Sequence, residues 1–281
     1  MAQEPALLDG RPPGKTGDWD TGTHAAFYDY YQDKSLSPQT RERFERVRDL
    51  LLRLIGPQAD GRALEVADIG CGAGSQSWLW AKLGHHVSGL DVNEQLIELA
   101  RERSAGLDVR PKFVVGSATE LPWPDESMDV SLVPELLEHV VDWQSVVREA
   151  VRVLRPGGFL YLSTTNKLCP IQEEFDLPAY SWYPGFLKRR YERLSVTTRP
   201  ELVQHAKYPA VHWFTYFGLR DYLAPLGLRS MDRFDVMDVE GRGPAFRFAR
   251  SAICSVPPLR YLAHVATPYT FLVAVKTGKR A

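Results

Sequence analysis

Short apolar runs alternate with amphipathic segments over most of the chain after residue 64. The apolar runs predict buried strands, and apolar residues at three- and four-residue steps predict helices between them. We expect strands at 64–69, 86–91, 112–115, 129–133, 159–164, 229–236 and 269–276, and helices at 75–83, 94–103, 142–154 and 218–226. Repeated βα units with short loops predict a Rossmann-like, doubly wound α/β fold with helices on both faces of a mostly parallel sheet.

Three regions fall outside this alternation. Residues 1–23 lack an apolar run and are predicted to be a flexible tail, which leaves 24–281 as one domain. Residues 24–56 predict an N-terminal helical lid, with aromatic residues at 27–31 and a helical pattern after Pro38. Prolines interrupt 166–213, which we interpret as an inserted cap between two parts of the sheet.

Composition narrows the setting. The 281 residues carry 34 basic and 35 acidic side chains, a balance that does not predict nucleic acid as a partner. The three cysteines, Cys71, Cys169 and Cys254, are widely spaced, which favours a reducing compartment, and we expect the cytoplasm. The sequence does not indicate an oligomeric state.

A glycine-rich turn follows the first predicted strand. It reads Asp68-Ile69-Gly70-Cys71-Gly72-Ala73-Gly74, and Asp91 ends the second strand. Glycines let a ligand approach the backbone, and a carboxylate at the second strand accepts ribose hydroxyls. The pattern predicts an adenosine-containing cofactor. A simple tight turn and a nicotinamide cofactor are the alternatives, but the spacing Gly-x-Gly-x-Gly departs from the dinucleotide fingerprint.

Across residues 64–164 the chain resembles the class I S-adenosylmethionine (SAM)-dependent methyltransferases. The resemblance implies that SAM is the cofactor and that Asp68, Gly70, Gly72 and Gly74 line its methionine part. It also implies an antiparallel seventh strand. The remaining residues expected at the cofactor are Cys71 in the turn, Asp91 and Val92 at the ribose and adenine edge, Ser117 and Ala118 in the adenine loop, and Pro134.

The segment after the fourth strand carries candidate chemistry. If Pro134 starts a short helix, Glu135, Glu138 and His139 share one face, and these groups can bind a divalent cation such as Mg²⁺. This Glu-x-x-Glu-His motif resembles the ubiquinone-biosynthesis O-methyltransferases, where it is associated with cation dependence. The alternative is that His139 packs under the sheet and the glutamates cap a helix or face water.

Methyl transfer needs an aligned nucleophile, and a base helps when the nucleophile is a hydroxyl group. The catalytic candidates are His139, Glu138 and His212. Aromatic residues of the cap together indicate an apolar acceptor pocket, namely Trp182, Tyr183, Trp213 and Tyr216, whereas ordinary packing of the cap is the better interpretation of any one of them alone.

The sequence thus predicts methyl transfer to a hydroxyl oxygen of a small aromatic or quinone-like molecule. An N- or C-methyltransferase, a nicotinamide-dependent oxidoreductase and a non-catalytic SAM-binding protein remain as alternatives. Basic amphipathic stretches at 186–194 and 245–264 indicate peripheral membrane contact, or simply solvated helix faces.

Overall fold

The computed structural model describes residues 35–59, 61–203, 210 and 212–278. In this part of the chain, seven strands form one sheet in the order β3-β2-β1-β4-β5-β7-β6. Strands β1 to β5 pair in parallel, whereas β7 is antiparallel to both β5 and β6. The strands are β1 Glu65–Ile69, β2 His86–Asp91, β3 Lys112–Val115, β4 Met128–Pro134, β5 Leu154–Thr165, β6 Leu228–Asp232 and β7 Tyr269–Lys276. The predicted fold class is confirmed.

Helices connect the strands and cover the sheet. They are α1 Pro38–Ala59, α2 Ser75–Ala81, α3 Glu94–Ser104, α4 Trp143–Val153, α5 Gly185–Thr197, α6 Tyr216–Leu223, α7 Arg233–Val236, α8 Pro244–Ser255 and α9 Pro257–Val265. No helix among the described residues is long and apolar enough to cross a bilayer.

Each face of the sheet has its own hydrophobic cluster. Val146 and Val147 of α4 pack with Leu160 of β5 on one face. Leu51 of α1 and Trp80 of α2 pack with Val66 of β1 on the other. Since both faces are covered, the central strands are continuous apolar runs, and this explains why the sequence pattern located them.

Two predicted elements differ from the structure. Pro134 does not start a helix, because it is still paired with Ser163 as the last residue of β4, and a turn rather than a helix follows. The strand predicted at 229–236 ends at Asp232. There the Asp232 side chain accepts hydrogen bonds from the N–H groups of Phe234 and Asp235 and caps the short helix α7.

The lid and cap are described in part. Residues 24–34 of the predicted lid lie outside the described residues, and α1 covers one sheet face. Within 166–213, the cap holds α5, 3-10 turns at Tyr180–Trp182 and Pro200–Leu202, and a core of its own around Phe175 and Tyr180. The rings of Phe175 and Tyr180 are stacked with centroids 4.0 Å apart.

A buried charge network holds the helices between β6 and β7. Asp232 is fully buried, and its Oδ2 accepts from Arg260 Nε at 2.7 Å and lies 2.9 Å from His264 Nε2. Burial alone would raise the pKa of Asp232, but the hydrogen bonds from His264 and Arg260 hold it at about 2. The carboxylate therefore stabilises the fold at every pH high enough to ionise Asp232 in both the folded and the unfolded chain.

We expect Asp232→Asn to lower the free energy of unfolding by about 2 kcal/mol at pH 7, the value of a pKa shift of this size. Because the folded-state pKa lies below the unfolded one, this contribution is full above roughly pH 4 and is lost as the pH falls toward 2. Urea unfolding at pH 7 and pH 3 measures both. The control is Asp221→Asn at an exposed ion pair with Arg220, which should change little. Equal losses for the two variants would contradict the role of Asp232.

Candidate functional site

The carboxyl ends of β1, β2 and β4 lie side by side at one edge of the sheet. β1 is hydrogen-bonded to β2 on one side and to β4 on the other. The last residues of these three strands and the turns after them contain the predicted cofactor, catalytic and cation residues, other than His212 and the adenine loop. In open parallel sheets this edge is where ligands bind.

The turn after β1 is held against β2 by its backbone. The N–H groups of Gly70 and Cys71 both donate to the carbonyl of Leu90, at 2.8 and 3.0 Å. Gly70, Gly72 and Gly74 have φ values of 75°, 51° and 73°, a region that glycine enters without steric cost. The sequence pattern of alternate glycines therefore encodes a left-handed turn.

Two of these glycines are required by close packing. A Cβ atom on Gly70 would lie 3.0 Å from the Leu136 side chain, which belongs to the loop after β4. A Cβ atom on Gly74 would lie 2.8 Å from Ala100 and 2.9 Å from Phe113. Gly74 was predicted to line the cofactor; the structure shows that it also allows α2 to pack closely against α3 and β3.

Asp68 is the buried carboxylate of the site. Its Oδ2 accepts a hydrogen bond from Ser77 Oγ at 2.6 Å, whereas its Oδ1 is buried without a hydrogen-bond partner among the described residues. Burial raises the pKa of Asp68 to about 6 against the lowering effect of Ser77, and the charge of Asp91 raises it further. An unpaired buried carboxylate oxygen fits a ligand cation.

Asp91 joins the turn to the end of β2. Its Oδ2 accepts from the N–H of Gly72 at 2.8 Å, and its Oδ1 accepts from the N–H of Asn93 at 2.9 Å. A carboxylate oxygen can accept more than one hydrogen bond, so a carboxylate at this position suits the two hydroxyl groups of a ribose. Asn93 also caps α3 by accepting from the N–H of Leu96. Burial raises the pKa of the Cys71 thiol, so Cys71 is a packing residue rather than a nucleophile.

The residues predicted at the adenine edge comprise an exposed apolar side chain and polar side chains that hydrogen-bond to each other. Val92 is 41% exposed, directly after Asp91. Ser117 Oγ and Thr119 Oγ1 are 2.6 Å apart, and Ser117 Oγ also accepts from the N–H of Thr119. Ala118 between them is buried.

The loop after β4 places its two glutamates in different surroundings. Glu135 has a φ of 50°, its N–H donates to the carbonyl of Ser163 at 2.8 Å, and its carboxylate pairs with Arg43 of α1. Glu138 is buried and accepts from Thr164 Oγ1 at 2.8 Å. Burial, with the nearby charge of Glu174, raises the pKa of Glu138 well above its ordinary value.

These contacts do not fit the predicted cation site at Glu135, Glu138 and His139. The helix that was to bring them onto one face is absent, Glu135 is paired with the Arg43 guanidinium group, and the Glu138 carboxyl is buried against Thr164. Among the described residues, no group of three or more His, Cys, Asp or Glu side chains is arranged to hold a metal ion.

His212 comes from the cap to the same loop. Its N–H donates to the carbonyl of Glu138 at 3.2 Å, and its Nε2 lies 3.2 Å from the carbonyl of Val141. Burial lowers the pKa of His212, which keeps the ring neutral at neutral pH. A neutral ring that donates from Nε2 carries its lone pair on Nδ1. The N–H of His139 donates to the carbonyl of Leu136 and closes the turn.

The cap aromatics are not assembled around one pocket, contrary to the prediction. Tyr183 and Trp213 pack around Tyr180 in the core of the cap. Trp182 is largely exposed, and its Nε1 donates to the carbonyl of Leu168. Tyr216 is buried at the start of α6, stacked on His264.

Comparison with known proteins identifies the domain. Residues 67–162 match the family described as methyltransferase domain. Residues 67–162 belong to a class I SAM-dependent methyltransferase domain. It is 37% identical over 147 residues to the 27-O-demethylrifamycin SV methyltransferase of Amycolatopsis mediterranei, covering 51% of each chain. It is 35% identical over 127 residues to the ubiquinone biosynthesis O-methyltransferase of Proteus mirabilis, covering 43% of this chain and 51% of that one.

The chain thus spans about half the length of the curated relatives it matches. A solved structure of a Pyrococcus horikoshii protein is 19% identical, with a TM-score of 0.53, and covers 89% of this chain and 99% of its own. At this identity the likeness concerns the fold alone.

SAM is the cofactor of this methyltransferase domain, and the residues present fit it. The unpaired Oδ1 of Asp68 suits the ammonium group of the methionine part, and the Asp91 carboxylate suits the ribose. The left-handed turn at Gly70 and Gly72 lets a ligand approach the backbone between them.

Several residues of the site were missed in the sequence. Arg43, Thr164 and Glu174 lie far from the motifs along the chain, and only the fold brings them to the Glu135–Glu138 loop. Ser77 is nine residues from Asp68, and no local pattern connects them. Asn93 had a recognisable signal, because an Asn directly before a helical pattern is a typical N-cap.

We expect the affinity for S-adenosylhomocysteine to fall as the pH drops below about 6. In the ligand-free domain Asp68 takes up a proton near that pH, whereas the ammonium group of the ligand favours the carboxylate, so binding releases a proton. The loss should approach roughly tenfold per pH unit. Calorimetry between about pH 5 and pH 8 measures it.

Asp68→Asn should bind more weakly at neutral pH and lose this pH dependence. Asp108→Asn, at an exposed carboxylate, is the matched control and should retain it. A wild-type affinity that stays constant across this range would show that Asp68 does not face the ammonium group.

Proposed function

We propose that the protein is a SAM-dependent O-methyltransferase whose acceptor is a hydroxyl group on a small aromatic or quinone-like molecule. The observation that carries the proposal is His212, held neutral against the loop after β4 at the edge where β1 presents Asp68. When bound, SAM supplies an activated methyl group. The chain then has to hold the acceptor and take the hydroxyl proton.

His212 has the properties of a general base. Hydrogen bonding of Nε2 to the Val141 carbonyl fixes the ring and leaves Nδ1 as the proton acceptor. The main chain of His212 is fixed as well, because its N–H donates to Glu138 and its carbonyl accepts from Thr165 Oγ1 at 3.1 Å. A base fixed in this way loses little entropy when it acts.

Glu138 positions this base. Glu138 is buried, accepts from Thr164 at the end of β5 and fixes the turn whose carbonyls at 138 and 141 hold His212. We therefore assign proton transfer to His212 and a positioning role to Glu138. His139 remains a candidate for acceptor contact.

The relatives support oxygen as the acceptor atom. One curated relative is named as an O-methyltransferase of ubiquinone biosynthesis, and the name of the other prints 27-O-demethylrifamycin SV as the molecule that it methylates. An amine acceptor gains little from a base, because it loses its proton easily. A hydroxyl group gains more, so a dedicated base favours a hydroxyl acceptor.

His212→Gln should lower kcat for methyl transfer by roughly 100-fold or more, because glutamine keeps the hydrogen bond to Val141 but cannot accept a proton. Wild-type kcat should fall only at a pH below the ordinary histidine pKa, as His212 becomes protonated, because burial sets the pKa of His212 below that ordinary value. Turnover of SAM with a panel of phenols and hydroxyquinones, followed by mass spectrometry and NMR of the product, measures both.

The control is His86→Gln, at an exposed histidine paired with Glu65 at the start of β2. It should change neither kcat nor the acid limb of the profile. Affinity for S-adenosylhomocysteine should be unchanged in both variants. A product methylated at nitrogen or carbon, or a His212→Gln variant with full kcat, would refute the proposal.

A further inference from the structure

The two helices between β6 and β7 leave large apolar side chains in solvent. Helix α8 has no buried residue, and only Val256 separates it from α9. Phe248 is 77% exposed and Leu262 is 59% exposed. The exposed apolar residues of this pair, called here the α8–α9 surface, are Phe246, Phe248, Val256, Leu259, Tyr261 and Leu262. Exposed apolar groups at this density mark an interaction surface.

The charged residues in the segment that carries this surface are all basic. From Gly241 to Gly278 the sequence contains no Asp or Glu, whereas it contains four arginines and Lys276. Arg242 and Arg247 are exposed beside Phe246 and Phe248, and the guanidinium carbon of Arg242 lies 5.3 Å from the ring centre of Phe246. Basic side chains beside exposed Phe and Leu are typical of helices that bind at an anionic membrane interface.

The remaining arginines attach the pair to the domain. Arg250 donates to the carbonyls of Phe234 and Asp235, and Arg260 pairs with Asp232. Tyr261 is also stacked on Phe217 of α6, with ring centroids 6.0 Å apart. The helices therefore form a fixed projection, and its exposed groups need not become ordered on binding.

The projection is rooted at the functional edge of the sheet. β6 runs parallel to β5, because both are antiparallel to β7, so the chain leaves for α8 from the edge where β1 and β4 end. It returns beside Asn166 at the end of β5, whose side chain donates to the carbonyls of His264 and Thr267. Any partner that binds the α8–α9 surface would therefore lie near the functional edge of the sheet.

We propose that the α8–α9 surface docks the protein onto an anionic lipid bilayer. Charge complementarity selects this occupant. Two copies of this surface would bring Arg242 and Arg247 against like charges, whereas an anionic bilayer offers both negative headgroups and an apolar layer for Phe248 and Leu262. The inference does not depend on methyl transfer, since it rests on exposed residues outside the cofactor site.

Vesicle sedimentation tests the inference with the full chain. The wild type should sediment with vesicles of phosphatidylcholine and phosphatidylglycerol and much less with phosphatidylcholine alone, and salt should weaken binding. Phe248→Ser/Leu262→Ser should reduce the partition coefficient on the mixed vesicles by roughly tenfold or more. Both positions are mostly exposed, so the variant should fold and keep its affinity for S-adenosylhomocysteine.

The matched control is Phe186→Ser on α5, at a residue 64% exposed beside the other basic stretch. It should leave vesicle binding unchanged. The inference is overturned if the wild type ignores anionic vesicles, if Phe186→Ser abolishes binding while the double variant binds fully, or if light scattering shows a dimer that only the double variant breaks. These results would leave the O-methyltransferase proposal intact, because that proposal is tested by turnover.

Discussion

The site depends on one constraint: a carboxylate is buried near the end of an interior strand. Asp68 lies on β1, between β2 and β4, where helices cover both faces of the sheet. Burial raises the pKa of Asp68 to about 6, and its Oδ1 has no hydrogen-bond partner among the described residues. A group in that state costs stability. A cation at Oδ1 would remove this cost.

Much of the fold could be predicted because the strands are buried on both faces. Runs such as 86–91, 112–115 and 269–276 were located to the residue. Asp68 and Asp91 could be predicted too, since the ends of consecutive parallel strands must meet at one edge. The error at Pro134 arose because a proline can begin a helix or end a strand. The register between Pro134 and Ser163, a long-range contact, decided it.

The acceptor side could not be predicted in this way. Its contacts join residues distant in sequence, such as Arg43 with Glu135 and Thr164 with Glu138. No periodicity records them. The aromatic density of 166–213 was a true signal, but it indicated a core for the cap around Tyr180 rather than a pocket wall. A region that must pack upon itself needs rings for that purpose first.

The cap and the α8–α9 pair are joined through the strand ends between them. Tyr269, the first residue of β7, donates its hydroxyl to Glu173 of the cap at 2.6 Å, and Asn166 ties the end of β5 to α9. Both insertions therefore start and finish at the functional edge without altering the hydrogen-bonded ladder of the sheet. Changes in either insertion can alter what reaches His212 while the turn at Gly70 and the carboxylates at 68 and 91 stay fixed. Under the proposed function, the strand ends are assigned to cofactor binding and the insertions to acceptor selection.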